Sequence, residues 1–552
     1  MPGPEKGSSK ILLRFGGGIN SRASEADIDE QECVSGYNFD LDVVNRELRT
    51  RRPVRDLGYC PNEEPIQGFI TFRDIDGNVT LLVQAGDTIY KWNSYNSWTS
   101  VGSCDANAKL RGRLEHISEV DGVVLVTDLS LLEQVKKWDG TTLSDITFSD
   151  ETAAGFGTFR AKYCAIENER AIFANTYDSV HTPNLIVGSK RGDYTTISVA
   201  NRPSSSLGEE DPFFLVQPDN GSINGMAKTF GILAFSSRYG SIYRLTGSSA
   251  KDFEMTSLFP RSGAQGDEAM VGVGGDVHFG RQGRIQGLSS TSNYGDVEPE
   301  DISLPISDQV EDVAEWTGVY NSRLQRTYWR PDTESKIYVY HSSFKPPPRP
   351  TTESLADILS GKGKAVSDLS PWSLWTSVNP RVLEPTALMP VIMPDDGLEY
   401  VAIGYSDGNV GLLEGNYDDP GDFGTTAQEI TVSRLSKRYQ LDSNAQVFDI
   451  QGWVSYRKGD PFTITITLEA SGENIFDESI TINVPAATGG AYYGGAYYYG
   501  GSSAHGISFS QRVSRQKFAL AGKANEFQIR VSVTDTVQWR IEEIGLVFDA
   551  AG

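Results

Sequence analysis

Between residues 66 and 416, apolar and polar residues alternate in short runs that are separated by turns rich in Gly, Asp and Asn. A period of two is typical of β-strands, whose successive side chains point to opposite faces. The runs group into units of about 40 residues, a length that β-propeller blades use. We place these units at residues 66–104, 110–148, 159–198, 223–259, 266–306, 310–378 and 388–416.

The first unit shows the pattern most clearly. It contains four short apolar runs with turns at 76–78 and 86–87, and its third run ends in Trp92. The third run of the second unit ends in Trp138 in the same way. Because a ring of blades buries the faces of many small sheets and hides most sheet edges, we predict an all-β protein with a β-propeller of six or seven blades.

The sequence changes character on both sides of the repeats. Residues 1–62 are polar and irregular and predict an extended N-terminal arm, whereas residues 63–418 form the propeller with a Pro-rich insertion near 344–371. Residues 419–552 contain longer alternating strands, which suit a C-terminal β-sandwich. Within that domain the Tyr- and Gly-rich run 489–501 predicts an exposed loop.

The net charge and the residue composition make some classes of binding partner less favourable than others. The 552 residues carry a formal charge of -24, which disfavours binding to the outside of a nucleic acid or to an anionic membrane. An acidic wall around DNA that slides past is compatible with this charge. No apolar run is long enough for a membrane helix, so we expect no membrane insertion. The four cysteines are widely spaced, which favours free thiols.

Sequence motifs for catalysis or cofactor binding are missing. The five histidines stand alone, and no nucleophile elbow, phosphate-binding loop or dinucleotide fingerprint occurs. We therefore expect no enzyme activity, no metal and no cofactor. Acidic pairs such as those in 209–211, 298–301 and 418–419 are typical of solvated turns. The turn at 406–409 is similar to the Asp-box of sialidase-type propellers, and a carbohydrate-binding or glycan-degrading propeller is the alternative function.

Three groups of residues are candidates for partner contact. A basic stretch of the arm could contact DNA or an acidic partner, or could be an ordinary interface segment. A polyproline strip could dock a partner or stiffen a surface loop, and a tyrosine cluster could supply contact area. The residues are Arg46, Arg49, Arg51, Arg52 and Arg55, then Pro346, Pro347 and Pro348, and finally Tyr492, Tyr493, Tyr497, Tyr498 and Tyr499.

The arm also contains a series of short motifs. RFGGGIN at 14–20 is followed by ADIDEQE at 26–32, GYNFD at 36–40 and LRTRRP at 48–53. This order resembles the opening of many phage tail proteins, and the C-terminal pattern of Ile541, Ile544, Gly545 and Leu546 is similar to that of podovirus tail hub, tail nozzle or packaged-DNA stabilisation proteins.

The resemblance implies a structural role in the short tail of a bacteriophage virion that is assembled in the host cytoplasm. Subunits would form a homo-oligomeric, six-fold ring below the portal and the tail adaptor, retain packaged DNA and dock tail fibres or spikes. Viral DNA would pass through the ring without sequence specificity. Family members in this role are not enzymes, so no catalytic residue is implied.

Overall fold

The computed structural model describes most of the propeller and the strands on either side of it. The described residues are 9–41, 47–113, 116–118, 122–150, 158–229, 232–238, 240–288, 300–332, 334–344, 369–376, 385–413, 430–440, 448–457, 462–470, 478–484, 513–522, 526–535 and 539–550.

Five strands precede the repeats. They are β1 (Ser9–Leu13), β2 (Ser35–Tyr37), β3 (Phe39–Leu41), β4 (Leu48–Thr50) and β5 (Arg55–Tyr59). Residues 1–62, which the sequence pattern predicts as an extended arm, therefore contribute strands to sheets elsewhere in the molecule.

The first three blades are antiparallel sheets. Blade 1 contains β6 (Ile66–Arg73), β7 (Val79–Ala85), β8 (Thr88–Ser94) and β9 (Ser97–Ser103). Blade 2 contains β10 (Leu110–Gly112), β11 (Val124–Asp128), β12 (Lys136–Trp138) and β13 (Leu143–Asp145). Blade 3 contains β15 (Phe159–Glu167), β16 (Arg170–Asp178), β17 (Val180–Gly188) and β19 (Phe213–Val216), while β14 (Ser149–Asp150) pairs with β18 (Thr196–Ile197).

The next three blades follow in order. Blade 4 contains β20 (Ile223–Thr229), β21 (Ile232–Ser237), β22 (Ile242–Thr246) and β23 (Glu254–Phe259). Blade 5 contains β24 (Met270–Val273), β25 (Asp276–Arg281), β26 (Arg284–Gly287) and β27 (Glu300–Asp301), and a 3-10 turn (Leu304–Ile306) and helix α1 (Ser307–Val310) follow it. Blade 6 contains β28 (Trp316–Asn321), β29 (Arg326–Pro331), β30 (Ile337–His341) and β31 (Trp372–Trp375).

Blade 7 closes the ring with a strand from the N-terminal segment. Its first three strands are β32 (Ala387–Ile392), β33 (Glu399–Gly404) and β34 (Asn409–Leu413), and its outer strand is β5, which pairs antiparallel with β34. The inner strand β32 lies beside β6 of blade 1, so the blades form a complete circle. The described residues thus confirm an all-β propeller and give it seven blades.

The central strands are apolar on both faces because each blade lies between two others. In β7, Leu81 and Val83 pack with Met389 of blade 7, whereas Leu82 between them packs with Val124 of blade 2. A strand that is buried on both faces has a nearly continuous apolar sequence. The hairpin before β7 turns at Gly77, whose φ of +88° is favourable for glycine alone.

One blade differs from the predicted unit. The sequence pattern predicts the third unit at 159–198, but the outer strand of blade 3 lies at Phe213–Val216, because residues 196–197 pair with β14 instead. The end of the intervening segment is bonded to Arg170 of β16, whose guanidinium donates to the carbonyls of Glu209, Glu210 and Asp211 and also to that of Ser189.

The C-terminal strands form a two-sheet β-sandwich. They are β35 (Ile430–Leu435), β36 (Tyr439–Gln440), β37 (Phe448–Arg457), β38 (Phe462–Ala470), β39 (Glu478–Val484), β40 (Val513–Gly522), β41 (Glu526–Asp535) and β42 (Arg540–Ala550). One sheet has the order β3-β4-β42-β37-β40 with β1 also on β42, and the other has the order β2-β35-β41-β38-β39 with β36 on β41.

Alternation along the sandwich strands builds its core. In β38 Ile464 and Ile466 are buried, whereas Thr463, Thr465 and Thr467 are partly exposed. This apolar core is continuous with that of blades 5 and 6, where it includes Trp316. Within the described residues, no helix is long and apolar enough to cross a membrane.

Candidate functional site at the propeller–sandwich junction

The hairpin β3–β4 brings two of the arm's motifs together. Asp40 and Arg49 are direct cross-strand partners, and a guanidinium nitrogen of Arg49 lies 2.8 Å from a carboxylate oxygen of Asp40. Asn38 and Arg51 flank the hairpin, and Nε of Arg51 donates to Oδ1 of Asn38 at 3.1 Å. The spacing of Asn38 and Asp40, and that of Arg49 and Arg51, therefore places complementary side chains opposite each other across the hairpin.

Asp40 also binds blade 6. A guanidinium nitrogen of Arg326, in β29, lies 2.7 Å from its other carboxylate oxygen, and the Asp40 side chain is only 1% exposed. Burial alone would raise the pKa of this carboxyl, but the positive charges of Arg326 and Arg49 outweigh that effect and lower the pKa. The neighbouring His341 is buried, and burial together with Arg326 holds its pKa well below the usual range.

Asn38 connects blade 6 to the sandwich. Its backbone N–H donates to the carbonyl of Leu374 at 2.8 Å, and its Oδ1 accepts the N–H of Thr376 at 2.9 Å. Its Nδ2 donates to the carbonyl of Thr431, in β35, at 2.9 Å. Its φ of +60° is a conformation that asparagine tolerates better than most residues. One amide thus satisfies polar groups from three segments.

The glycine motif lies against the last strand of blade 6. The N–H of Gly18 donates to the carbonyl of Ser370 at 2.7 Å, and that of Ile19 donates to the carbonyl of Trp372 at 2.9 Å. A Cβ on Gly18 would lie 2.0 Å from the carbonyl oxygen of Trp372. This position therefore requires glycine because two backbones approach each other too closely for any side chain.

Glu32 also connects the glycine motif to blade 6. Its carboxylate accepts the N–H of Ser370 at 2.6 Å and the Nδ2 of Asn20 at 2.9 Å. Burial raises the pKa of Glu32, and these hydrogen bonds oppose the rise without cancelling it. Glu32, from the motif at 26–32, thus connects the glycine motif at 14–20 to blade 6.

Arg434 completes the junction from the sandwich strand β35. Its guanidinium donates to the carbonyls of Gly17, at 2.9 Å, and Gln31, and it lies over the rings of Phe15 and Phe39. Burial lowers its pKa. We call the set that joins the N-terminal segment, blade 6 and the sandwich the clamp; it consists of Gly18, Glu32, Asn38, Asp40, Arg49, Arg51, Arg326 and Arg434.

Two of the arginines predicted to contact a partner, Arg49 and Arg51, belong to the clamp. Arg51 is 1% exposed, so its guanidinium faces the interior of the fold. Arg55 pairs with Asp395 and Asp396 at the edge of blade 7, and Arg52 is half-buried. Partner contact by these arginines stays a prediction. The remaining candidates lie outside the described residues: Arg46, Pro346, Pro347, Pro348, Tyr492, Tyr493, Tyr497, Tyr498 and Tyr499.

A second buried charge cluster lies in the propeller channel. Glu268, just before β24 of blade 5, accepts two hydrogen bonds from Arg111 of blade 2, at 2.8 and 2.9 Å, and one from Arg113 at 3.0 Å. Because two blades separate blade 2 from blade 5, this contact spans the channel. Burial opposes ionisation of Glu268, but Arg111 and Arg113 lower its pKa overall.

Sequence reasoning missed several of these residues. Arg326, Arg434 and Glu268 carry no local signal, because their partners lie far away in the sequence. For Asp40 and Arg49 a signal was present: two polar residues at i and i+2 on each side of a hairpin predict cross-strand pairs. The sequence analysis instead gives these arginines as a possible contact to DNA or an acidic partner, or as an ordinary interface segment.

Two other candidate groups, at 209–211 and 406–409, lie in turns, whereas residues 298–299 and 418–419 lie outside the described residues. Asp407 and Gly408 form the tight turn between β33 and β34, where Gly408 has a φ of +82°. Glu209, Glu210 and Asp211 contribute carbonyls to Arg170, as described above. In the described ranges, no three His, Cys, Asp or Glu side chains lie close enough to hold a metal ion.

Comparison with known proteins yields fold-level likeness. No protein-family model and no curated protein matches the chain. A catalytically inactive virginiamycin B lyase from Staphylococcus aureus with quinupristin is 12% identical over 65% of this chain and 98% of its own, with a TM-score of 0.39. A streptogramin B lyase is 11% identical over 65% and 96%, with a TM-score of 0.38, and YCF48 from Cyanidioschyzon merolae is 9% identical over 66% and 98%, with a TM-score of 0.35.

These similarities correct one expectation. The sequence analysis expects no enzyme activity, and that expectation is corrected, because two of the structures to which the chain is similar are lyases. The likeness assigns no reaction to this chain.

Proposed function

We propose that this chain is a structural subunit of the short tail of a bacteriophage, a hub or nozzle component that assembles as a ring around the DNA exit path. The observation that carries the proposal is the clamp. The four arm motifs that resemble phage tail proteins lie between residues 14 and 53, and residues from all four contribute to this one junction. Proteins that build the same junction between two domains are expected to share the short motifs that form it.

A rigid junction suits a ring subunit. In a closed ring each subunit presents two complementary surfaces at a fixed angle. A flexible connection between domains would let that angle vary from subunit to subunit. Here hydrogen bonds, ion pairs and a continuous apolar core connect the propeller to the sandwich.

Charge supports the same role. The chain carries a formal charge of -24, and an acidic wall repels DNA phosphates, so DNA would slide past it without adhering. The partners would be further copies of the chain, the portal and adaptor proteins, and tail fibres or spikes.

The test is assembly. We expect the purified full-length chain, alone or mixed with tail adaptor protein, to form a closed ring by native mass spectrometry and negative-stain electron microscopy. A chain that stays monomeric with the adaptor, and binds or cleaves glycans instead, would contradict the proposal.

Two glycine variants sharpen this test. Gly18→Ala places a methyl group against the carbonyl of Trp372 and should loosen the clamp, whereas a Cβ at Gly275 meets no atom within 4 Å. We expect Gly18→Ala to reduce ring formation and Gly275→Ala to assemble normally. Far-UV circular dichroism of both variants separates loss of assembly from loss of folding. Equal assembly by two folded variants would argue against the clamp as the support for the ring.

A further inference from the structure

The propeller channel contains a cavity of about 380 Å3 between the inner strands β20, β24, β28 and β32 of blades 4 to 7. Small-molecule sites in proteins commonly start at about 300 Å3. A chamber of about 40 Å3, which is large enough for a hydroxyl group or a water molecule, adjoins the cavity and shares Arg113, Met226, Lys228 and Met270 with it. The two spaces together define a pocket with a wide end and a narrow end.

Hydrogen bonds cross the channel at the narrow end. The carboxylate of Glu268, from blade 5, accepts hydrogen bonds from Arg111 and Arg113 of blade 2. The hydroxyl of Tyr163, in blade 3, donates to the carbonyl of Asp267 at 3.1 Å. All five residues line the small chamber, so these contacts bound the narrow end of the pocket.

Apolar side chains form most of the wide end. Met226 and Met270 lie on the neighbouring strands β20 and β24, and Val271, Val319 and Ile392 continue the wall across blades 5, 6 and 7. Methionine side chains are flexible and polarizable, so they adapt to the shape of a bound apolar group. Such a wall favours a ligand with an apolar body, because both surfaces leave water when the ligand binds.

The charged groups that line the wide end each have a partner within the chain. Lys228 donates to the carbonyl of Ile166 and lies 3.4 Å from Glu167. Glu399 accepts the backbone N–H and the hydroxyl of Ser322 at 2.6 Å each. The arginine at the boundary with the narrow end binds the carboxylate described above. An ionic ligand would therefore lose its hydration in the pocket without gaining a counter-charge, which favours an uncharged ligand.

One polar group at the narrow end has no hydrogen-bond partner among the described residues. It is the hydroxyl of Thr127, in β11, which lines the small chamber and belongs to a residue that is 1% exposed. Buried polar groups are normally hydrogen-bonded, so a hydroxyl group in the small chamber would satisfy it. The narrow end thus suits a small, neutral polar group.

We propose that the channel pocket binds an uncharged small molecule that has an apolar body and one hydroxyl group. The apolar body lies in the wide end against Met226 and Met270, which line both spaces. The hydroxyl group lies in the narrow end, where it forms a hydrogen bond with Thr127. This site is independent of the tail role, because it requires only the propeller.

Isothermal titration calorimetry of the full-length chain at neutral pH tests the site. The two probes are para-butylphenol and para-butylbenzoate, which share an apolar body and differ in that the first is uncharged and the second is an anion. We expect one molecule of para-butylphenol to bind per chain, and para-butylbenzoate to bind at least about tenfold more weakly because its charge finds no counter-charge. Absence of para-butylphenol binding, or equal or tighter binding of para-butylbenzoate, would overturn the proposal.

Variants locate the binding. Met226→Trp fills the wide end and should weaken para-butylphenol binding by more than about tenfold, whereas Thr127→Val keeps the shape of the side chain, removes the hydroxyl and should weaken it by about threefold to tenfold. The control is Val180→Trp in β17, where the side chain is 68% exposed and affinity should stay unchanged.

Far-UV circular dichroism of each variant checks that the chain is folded. Thr127→Val remains decisive even where Met226→Trp disturbs folding, because it adds no volume. Unchanged affinity in Thr127→Val would contradict the placement of the hydroxyl group, and unchanged affinity in a folded Met226→Trp chain, or an equal loss in Val180→Trp, would contradict the site.

Discussion

The junction and the channel each place a carboxylate between two arginines, but they use it differently. At the junction Asp40 is 1% exposed, and Arg49 and Arg326 approach from separate elements. In the channel Glu268 is 12% exposed, and its two arginines come from one strand and the residue after it. The first arrangement connects two domains, whereas the second spans an opening beside a cavity.

The two carboxylates differ in how far water can reach them. A buried carboxylate is stable only when its counter-charges are present, because desolvation of an unpaired charge costs several kcal/mol. At Asp40 water has little access, so the arginines must supply the whole compensation. At Glu268, which is 12% exposed beside an Arg113 that is 23% exposed, water can supply part of the compensation. The junction is therefore expected to contribute more to stability than the channel cluster.

The largest effect is expected from Asp40→Asn. The variant leaves Arg49 and Arg326 without their shared counter-charge in a buried site, which should lower the free energy of unfolding by about 3–5 kcal/mol. Urea unfolding followed by tryptophan fluorescence measures the change. The control is Asp76→Asn at an exposed hairpin turn, where surface substitutions stay within about 0.5 kcal/mol. Similar losses in both variants would remove the distinction.

A smaller loss is expected from Glu268→Gln. Arg113 is 23% exposed, so water can solvate the charge that the variant leaves behind. We expect a decrease of about 1–3 kcal/mol in the same unfolding experiment. A loss larger than that of Asp40→Asn would show that the channel, and not the junction, dominates stability.

The acid dependence separates the two kinds of carboxyl group. Asp40 and Glu268 have lowered pKa values in the folded chain, so their stabilisation is present above the ordinary values of 3.8 and 4.5 and is lost as the pH falls below them. Glu32 has a raised pKa, so its contribution has the opposite sign and stability falls as the pH rises past 4.5. Urea midpoints measured from about pH 3 to pH 7 should show a shallower acid loss in Asp40→Asn; an unchanged slope would contradict this assignment.

The smallest effect is expected from Arg55→Gln at the edge of blade 7. Its pairs with Asp395 and Asp396 are partly exposed, and the side chains of those two residues are 36% and 30% exposed. Exposed ion pairs contribute about 0–1 kcal/mol, so thermal unfolding should shift only slightly. A large shift would mean that closure of the ring by β5 depends on this pair.

Much of the architecture follows from local pattern. Short apolar runs separated by Gly, Asp and Asn turns determine where strands begin and end. Their spacing predicts blades because most strands within a blade pair with their neighbours in sequence. The sandwich follows from the same alternation in longer strands, as in residues 462–468. These features depend on residues a few positions apart, which is why the sequence alone is informative about them.

The pairings over long distances were decided only by the tertiary structure. The use of β5 as the outer strand of blade 7, the insertion of β1 to β4 into the sandwich sheets, and the pairing of Glu268 with Arg111 join residues that are far apart in the chain. The arm looks polar and irregular because its side chains complete sites built by other segments. An asparagine or arginine in such a place has the same local context as one in a surface turn, and only the surrounding fold distinguishes the two.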